Sequence, residues 1–144
     1  MISECVVDGI PVGKARPRFS RSSNRVSVYT PKKTIDFERK LVRAWLAIRS
    51  NFMDAPVQVK IVASFPIPRS WTKMDKERAK SGLIAKTSKP DLDNVAKAVL
   101  DALNGVAFRD DKQVIRLVVE KRYDPDGIGS TKIVVATLDE DIFQ

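Results

Sequence analysis

Residues 57–65 run Val57-Gln58-Val59-Lys60-Ile61-Val62-Ala63-Ser64-Phe65, with an apolar side chain at every odd position. Successive side chains leave a strand on opposite sides, so this alternation predicts a β-strand with one face buried. Pro66 and Pro68 stop it. Two stretches at helical spacing flank the strand. In the first, Thr30 reads as N-cap and Pro31 as the first helical residue, where the missing N–H costs nothing. Its apolar stripe is Phe37, Leu41, Val42, Trp45 and Ile48. In the second, Leu92, Val95, Val99 and Leu103, flanked by Ala96 and Ala102, face one way, and Asn104-Gly105 ends the run. Between the two, Thr72 and Asp75 resemble a capping box for a short polar surface helix over 73–80, which Gly82 ends.

The remaining strands fall at 4–10, 26–29, 114–123 and 131–138. The last two read as a hairpin about the turn Asp124-Pro125-Asp126-Gly127. Residues 83–89 read as extended, and the acidic end, Asp139-Glu140-Asp141, as a fraying tail. Residues 11–25 form a basic N-terminal arm, either a loop or a loosely paired hairpin. The order is roughly β-β-α-β-(α)-α-β-β. It predicts an α+β fold, a mixed β-sheet with two main helices packed on one face, in a single domain over residues 1–144.

Charge and composition narrow the chemistry. Lys and Arg number 26 against 18 Asp and Glu, a formal charge of +8. Residues 1–50 hold eleven of the cations and four acids, a one-sided basic surface of the kind that binds a polyanion. A solvated lysine-rich surface would look similar. The chain has no histidine and one cysteine, Cys5. That removes Ser-His-Asp and Cys-His nucleophiles, His-ligated zinc and intrachain disulfides, and fits a reducing cytoplasm. No apolar run is long enough to span a membrane, and no secretory signal is visible. Carboxylates with a hard cation remain as the means of difficult hydrolysis.

The chemistry concentrates in Lys89-Pro90-Asp91-Leu92-Asp93-Asn94-Val95-Ala96-Lys97. Pro90 disfavours helix at Lys89, and Asp93 is a natural N-cap for a helix starting at Asn94. With the chain extended through Leu92, Asp91 and Asp93 point the same way at a strand-to-helix junction. Lys97 lies four residues after Asp93 on the same helical face, and Asp101 continues the row. Asp110-Asp111 follows the helix. A helix over 94–104 advances about 15 Å, and the seven residues to Asp111 reach back about 23 Å. The chain is therefore long enough to return, although spacing does not choose between Asp110 and Asp111. Grouped carboxylates repel unless a cation compensates, and Mg²⁺ takes a few of them with water and phosphate oxygens. A plainer reading stands beside this one, in which D-x-D-N only caps a helix and Asp110-Asp111 only belongs to a turn. In the basic arm, Lys14, Arg16, Arg18 and Arg21, interleaved with Pro17 and Phe19, suit bidentate phosphate contact or a solvated loop.

The run from Lys89 to Gly105, followed by Phe108-Arg109-Asp110-Asp111-Lys112-Gln113-Val114, resembles the RusA-type Holliday junction resolvases. Gly13-Lys14-Ala15-Arg16-Pro17-Arg18-Phe19-Ser20-Arg21 and Val28-Tyr29-Thr30-Pro31-Lys32-Lys33-Thr34 resemble the phage-associated branch of that family. The resemblance covers nearly the whole chain. It implies Mg²⁺-dependent endonucleases of bacteria and their phages, with Mn²⁺ as a substitute. It implies metal-binding, catalytic aspartates at Asp91, Asp93 and Asp111, and an essential lysine at Lys97. DNA contacts are expected at Lys14, Arg16, Arg18, Arg21, Lys32, Lys33, Lys89 and Asn94. The implied partners are four-way or branched DNA and a second copy of the chain, in a homodimer that makes paired symmetric nicks, with no membrane and no small-molecule cofactor. Two alternatives stay open: a nuclease of broader flap or branched-DNA preference, and a non-catalytic DNA-binding protein. A D-x-D nucleotide-sugar transferase is disfavoured by the short chain and the lack of a Gly-rich nucleotide loop.

Overall fold

The computed structural model describes residues 1–15, 18–22 and 25–143. In chain order the elements are β1 (Ile2–Asp8), β2 (Arg18–Ser22), β3 (Arg25–Tyr29), α1 (Lys32–Ala47), β4 (Val57–Pro66), α2 (Lys73–Lys80), α3 (Leu92–Leu103), β5 (Val114–Asp124) and β6 (Ser130–Thr137), with one 3₁₀ turn at Asp111–Gln113. The fold is α+β, as the element order predicts.

β4 organises a mixed sheet in the order β1-β6-β4-β5. It pairs parallel with β5 and antiparallel with β6, and β6 pairs antiparallel with β1. The odd residues of β4 join Cys5 and Val7 of β1, Ile133 and Val135 of β6, and the helices in one core. α1 supplies Phe37, Leu41 and Trp45, and α3 supplies Val95, Val99 and Leu103. The two helices pack on each other, α1 also against β1 and α3 against β5. β2 and β3 form a separate antiparallel ribbon, the paired alternative for the basic arm.

Four sequence expectations need correction. First, β5 and β6 do not form a hairpin with each other; they flank β4 on opposite sides. β4 offers hydrogen-bonding edges on both sides, and the loop after β5 passes its end, where Gly129 lies close to Pro66. Second, β4 is buried on both faces, since even Gln58, Val62 and Ser64 are covered. Third, the acidic tail is held on that second face. The Gln58 amide donates to the carbonyls of Thr137 and Glu140, and the Arg116 guanidinium lies 4.1 Å from the Phe143 ring centroid. Fourth, Pro31 rather than Thr30 is the N-cap of α1, Ile48 is exposed, and Thr34 takes a buried place instead. Thr72 is the N-cap of α2, its hydroxyl accepting from the Asp75 N–H, which is one of the two bonds of the expected capping box. Gly82 follows α2 with φ +84°, a conformation suited to glycine.

Candidate functional site

α3 begins two residues earlier than the sequence suggests, so Leu92 is helical rather than extended. Asp91, not Asp93, is its N-cap, and Asp93 lies in its first turn. Asp91 has extended backbone (φ −70°, ψ 151°) but makes no side-chain capping bond. Both carboxylates are exposed. They stand where the unpaired N–H groups of the helix favour negative charge.

The N-terminal segment packs along this end of α3. The Lys14 N–H donates to the Asn94 carbonyl at 2.8 Å. A cleft of 440 Å³ there is lined by Lys14, Lys89, Asp91 and Asn94, together with Gly13, Ala15 and Pro90. An adjoining cleft of 540 Å³ shares Gly13, Ala15, Lys89 and Pro90 and adds Lys33 and Lys86 on apolar walls that include Phe65. The structure thus brings Lys14, Lys33, Lys89 and Asn94 to the Asp91 junction. Lys32 is exposed at the first turn of α1, and Arg21 is exposed on β2. Arg18 opens β2, and Arg16 lies outside the described residues.

Lys14 is committed to the protein itself. Its ammonium lies 2.6 Å from a Glu38 oxygen and 3.4 Å from Asp101 Oδ2. Burial alone would lower its pKa, but Glu38 and Asp101 leave it raised. The same Asp101 oxygen is 3.5 Å from Lys97 Nζ. Lys97 therefore pairs with Asp101, one turn on from it, and its ammonium stays largely exposed.

The second acidic pair is built by a different device. Asp110 caps the 3₁₀ turn, with its carboxylate accepting from the Lys112 N–H at 2.9 Å. Gln113 completes the box: its carbonyl accepts from the Asp110 N–H, and its amide donates to the Met53 and Ala55 carbonyls. Arg109 forks onto Asp54 at 3.2 and 2.8 Å. The Lys112 N–H holds Asp110 below the usual carboxylate range. Asp111 is pushed above that range by partial burial, then by Asp110 and Asp101, while Lys97 pulls the other way. Asp110 is thus occupied by the backbone, and Asp111 is the member of the pair that feels the charges of Asp101 and Lys97 on α3.

Asp91 and Asp93 sit at the start of α3, and Asp111 answers to Asp101 and Lys97 further along it. The twelve residues of α3 span about 18 Å. Among the described residues, no three Cys, Asp or Glu side chains stand close enough to hold a metal ion. The donors still fit a hard cation in kind. They are exposed carboxylate oxygens in pairs, and Mg²⁺ takes one or two carboxylates plus water and substrate phosphates rather than a closed protein cage. Sequence reading missed Gly13, Lys86, Gln58 and Lys121 as neighbours of functional or structural segments. Only Gln113, inside the Asp-Asp-x-Gln-Val run, carried a signal. No helix among the described residues is long and apolar enough to cross a membrane.

A family model described as Endodeoxyribonuclease RusA matches residues 8–135. A relative from Bacillus subtilis (strain 168), "Uncharacterized protein YqaN", is 37% identical over 120 residues, covering 81% of this chain and 84% of the relative.

Proposed function

The chain belongs to the RusA endodeoxyribonuclease family, and from that premise we propose that it resolves Holliday junctions as a Mg²⁺-dependent homodimer, making paired symmetric nicks. The observation that carries the reading is Asp91, whose carboxylate is unused by the helix it caps and lines a cleft with Lys89 and Asn94.

In this reading Asp91 and Asp93 would hold the cation at the start of α3, with Mn²⁺ able to replace Mg²⁺, and Asp111 would join them only when drawn in from further along the helix. The cation supplies neutralisation of charge at the scissile phosphate and activation of water for attack. The protein's own groups do the rest. Asp91 and Asp93 present negative charge at the exposed mouth of α3, where they would hold the cation beside the DNA backbone. Lys33 and Lys89 meet neighbouring backbone phosphates as point charges. Lys97, steadied by Asp101, presents a fixed ammonium to the negative charge that grows in the transition state. Two copies related by a two-fold axis suit a substrate whose opposing arms are equivalent.

The test uses synthetic four-way junctions. With Mg²⁺, wild-type protein should give paired nicks on symmetric strands, and cleavage confined to flaps would favour the broader branched-DNA nuclease. Asp93→Asn should lower cutting by at least about 100-fold, the scale on which charge-stabilising groups act, while binding is kept or strengthened because a repulsion toward phosphate is gone. Normal-speed cutting by Asp93→Asn would remove the catalytic assignment of Asp93, and a wild type that binds junctions without cutting them in Mg²⁺ would leave a DNA-binding protein.

A further inference from the structure

The loop that delivers Asp91 is itself gripped. Lys121, half-buried on β5, donates from its ammonium to the carbonyls of Ser88 at 3.0 Å and Pro90 at 2.9 Å. It lies on the helix-covered face of the sheet, two residues beyond Val119, which packs against the core. A rigid strand thus reaches up under the two residues that flank Lys89 and fixes the backbone immediately before Asp91. A second grip comes from the N-terminal segment. A Cβ on Gly13 would stand 2.7 Å from the Pro90 Cβ and 3.2 Å from that of Asn94. Only a residue without a side chain lets the segment lie that close.

An ammonium is an expensive way to satisfy two carbonyls that water could reach. Lys121 has no carboxylate partner among the described ion pairs, and it stands near Lys86, whose pKa burial and Lys121 together depress. Retaining a cation beside another cation serves no packing need. It does give three fixed N–H directions at the base of a loop whose last residue must aim a carboxylate.

We propose that Lys121 is a positioning residue for the nuclease reaction, holding the Ser88–Pro90 backbone so that Asp91 points into the cleft, with Gly13 as the close-packed wall that completes the hold. This rests on the reading of Asp91 given above. A misplacement of about 1 Å at a reacting centre can cost about 100-fold in rate, so a loosened loop shows in cutting before it shows in binding.

Lys121→Met keeps the aliphatic stem and removes the donors. It should lower single-turnover junction cutting at least tenfold and raise the Mg²⁺ concentration for half-activation. Junction affinity measured in Ca²⁺ should fall much less than the rate, by about threefold at most, since Lys89 is the one expected phosphate contact on the gripped loop and the others lie elsewhere. Lys121→Arg, which restores donors, should recover part of the rate. Gly13→Ala, striking the same loop from another segment, should repeat the split between cutting and binding. Hydrogen exchange supplies a readout independent of activity: the amides of Lys89, Asp91 and Leu92 should exchange faster in Lys121→Met while those of β4 do not change. Unchanged exchange at the loop, or loss of affinity and melting temperature in step with the rate, would overturn the positioning role. Faster loop exchange in a protein whose wild type cuts no branched DNA would uphold the grip and overturn the nuclease reading instead.

Discussion

Asp111 carries a cost that its neighbours do not relieve. Its folded pKa is raised by partial burial and by Asp110 and Asp101, against the pull of Lys97. An acid raised in this way binds its proton more tightly in the folded state. The folded state is therefore favoured below the unfolded pKa, and that advantage is lost as pH rises from the unfolded value through the folded one. At neutral pH the carboxylate is a burden, so Asp111→Asn should leave the melting temperature equal or higher and flatten its dependence on acid pH. The same change should lower cutting at least about 100-fold if Asp111 serves the cation. Mg²⁺ should raise the melting temperature of the wild type more than that of Asp111→Asn, because a ligand that binds only the folded state stabilises it. Asp110 behaves differently. Its work is capping, so Asp110→Ala should lower stability, measured by urea unfolding, and Asp110→Asn much less.

At the level of elements, Gln113 ties the acidic turn to the strand that follows and to the chain before β4. Three hydrogen bonds run through its side chain, to the Asp110 N–H and the Met53 and Ala55 carbonyls. Gln113→Ala should cost about 1–3 kcal/mol, since partly buried carbonyls lose their donor, and should blur the Asp111 position so that cutting falls further than stability. Urea unfolding beside single-turnover cutting checks both. The glutamine was visible in the sequence only as part of a run of residues; its partners at 53 and 55 are far along the chain and left no local trace. The same division runs through the fold. The alternation of β4 and the stripes of α1 and α3 were legible because period and burial are local. That β5 and β6 sit on opposite sides of β4 was not, because two alternating strands about a turn look identical whether they pair with each other or with a third. Nor does a strand's own pattern reveal what covers its second face, here the tail held by Gln58. The helix start at Leu92 rather than Asn94 was hidden because Asp91 and Asp93 are equally good caps.

For the molecule as a whole, the excess of 26 cations over 18 acids sets how binding responds to salt. Each phosphate contact contributes a slope of about 0.9 in log affinity against log salt. Arg18→Ala with Arg21→Ala should reduce that slope by about one to two, and an unchanged slope would take the ribbon off the DNA surface. Lys14→Ala should act otherwise, costing stability through Glu38 and Asp101 with little change in slope. The sheet order carries one more consequence. β6, the final strand of the described chain, is not an edge but fills the gap between β1 and β4. A ribosome must therefore have released the chain through Thr137 before the sheet can close, and pairings so distant along the chain form slowly. Prematurely terminated products lack the keystone.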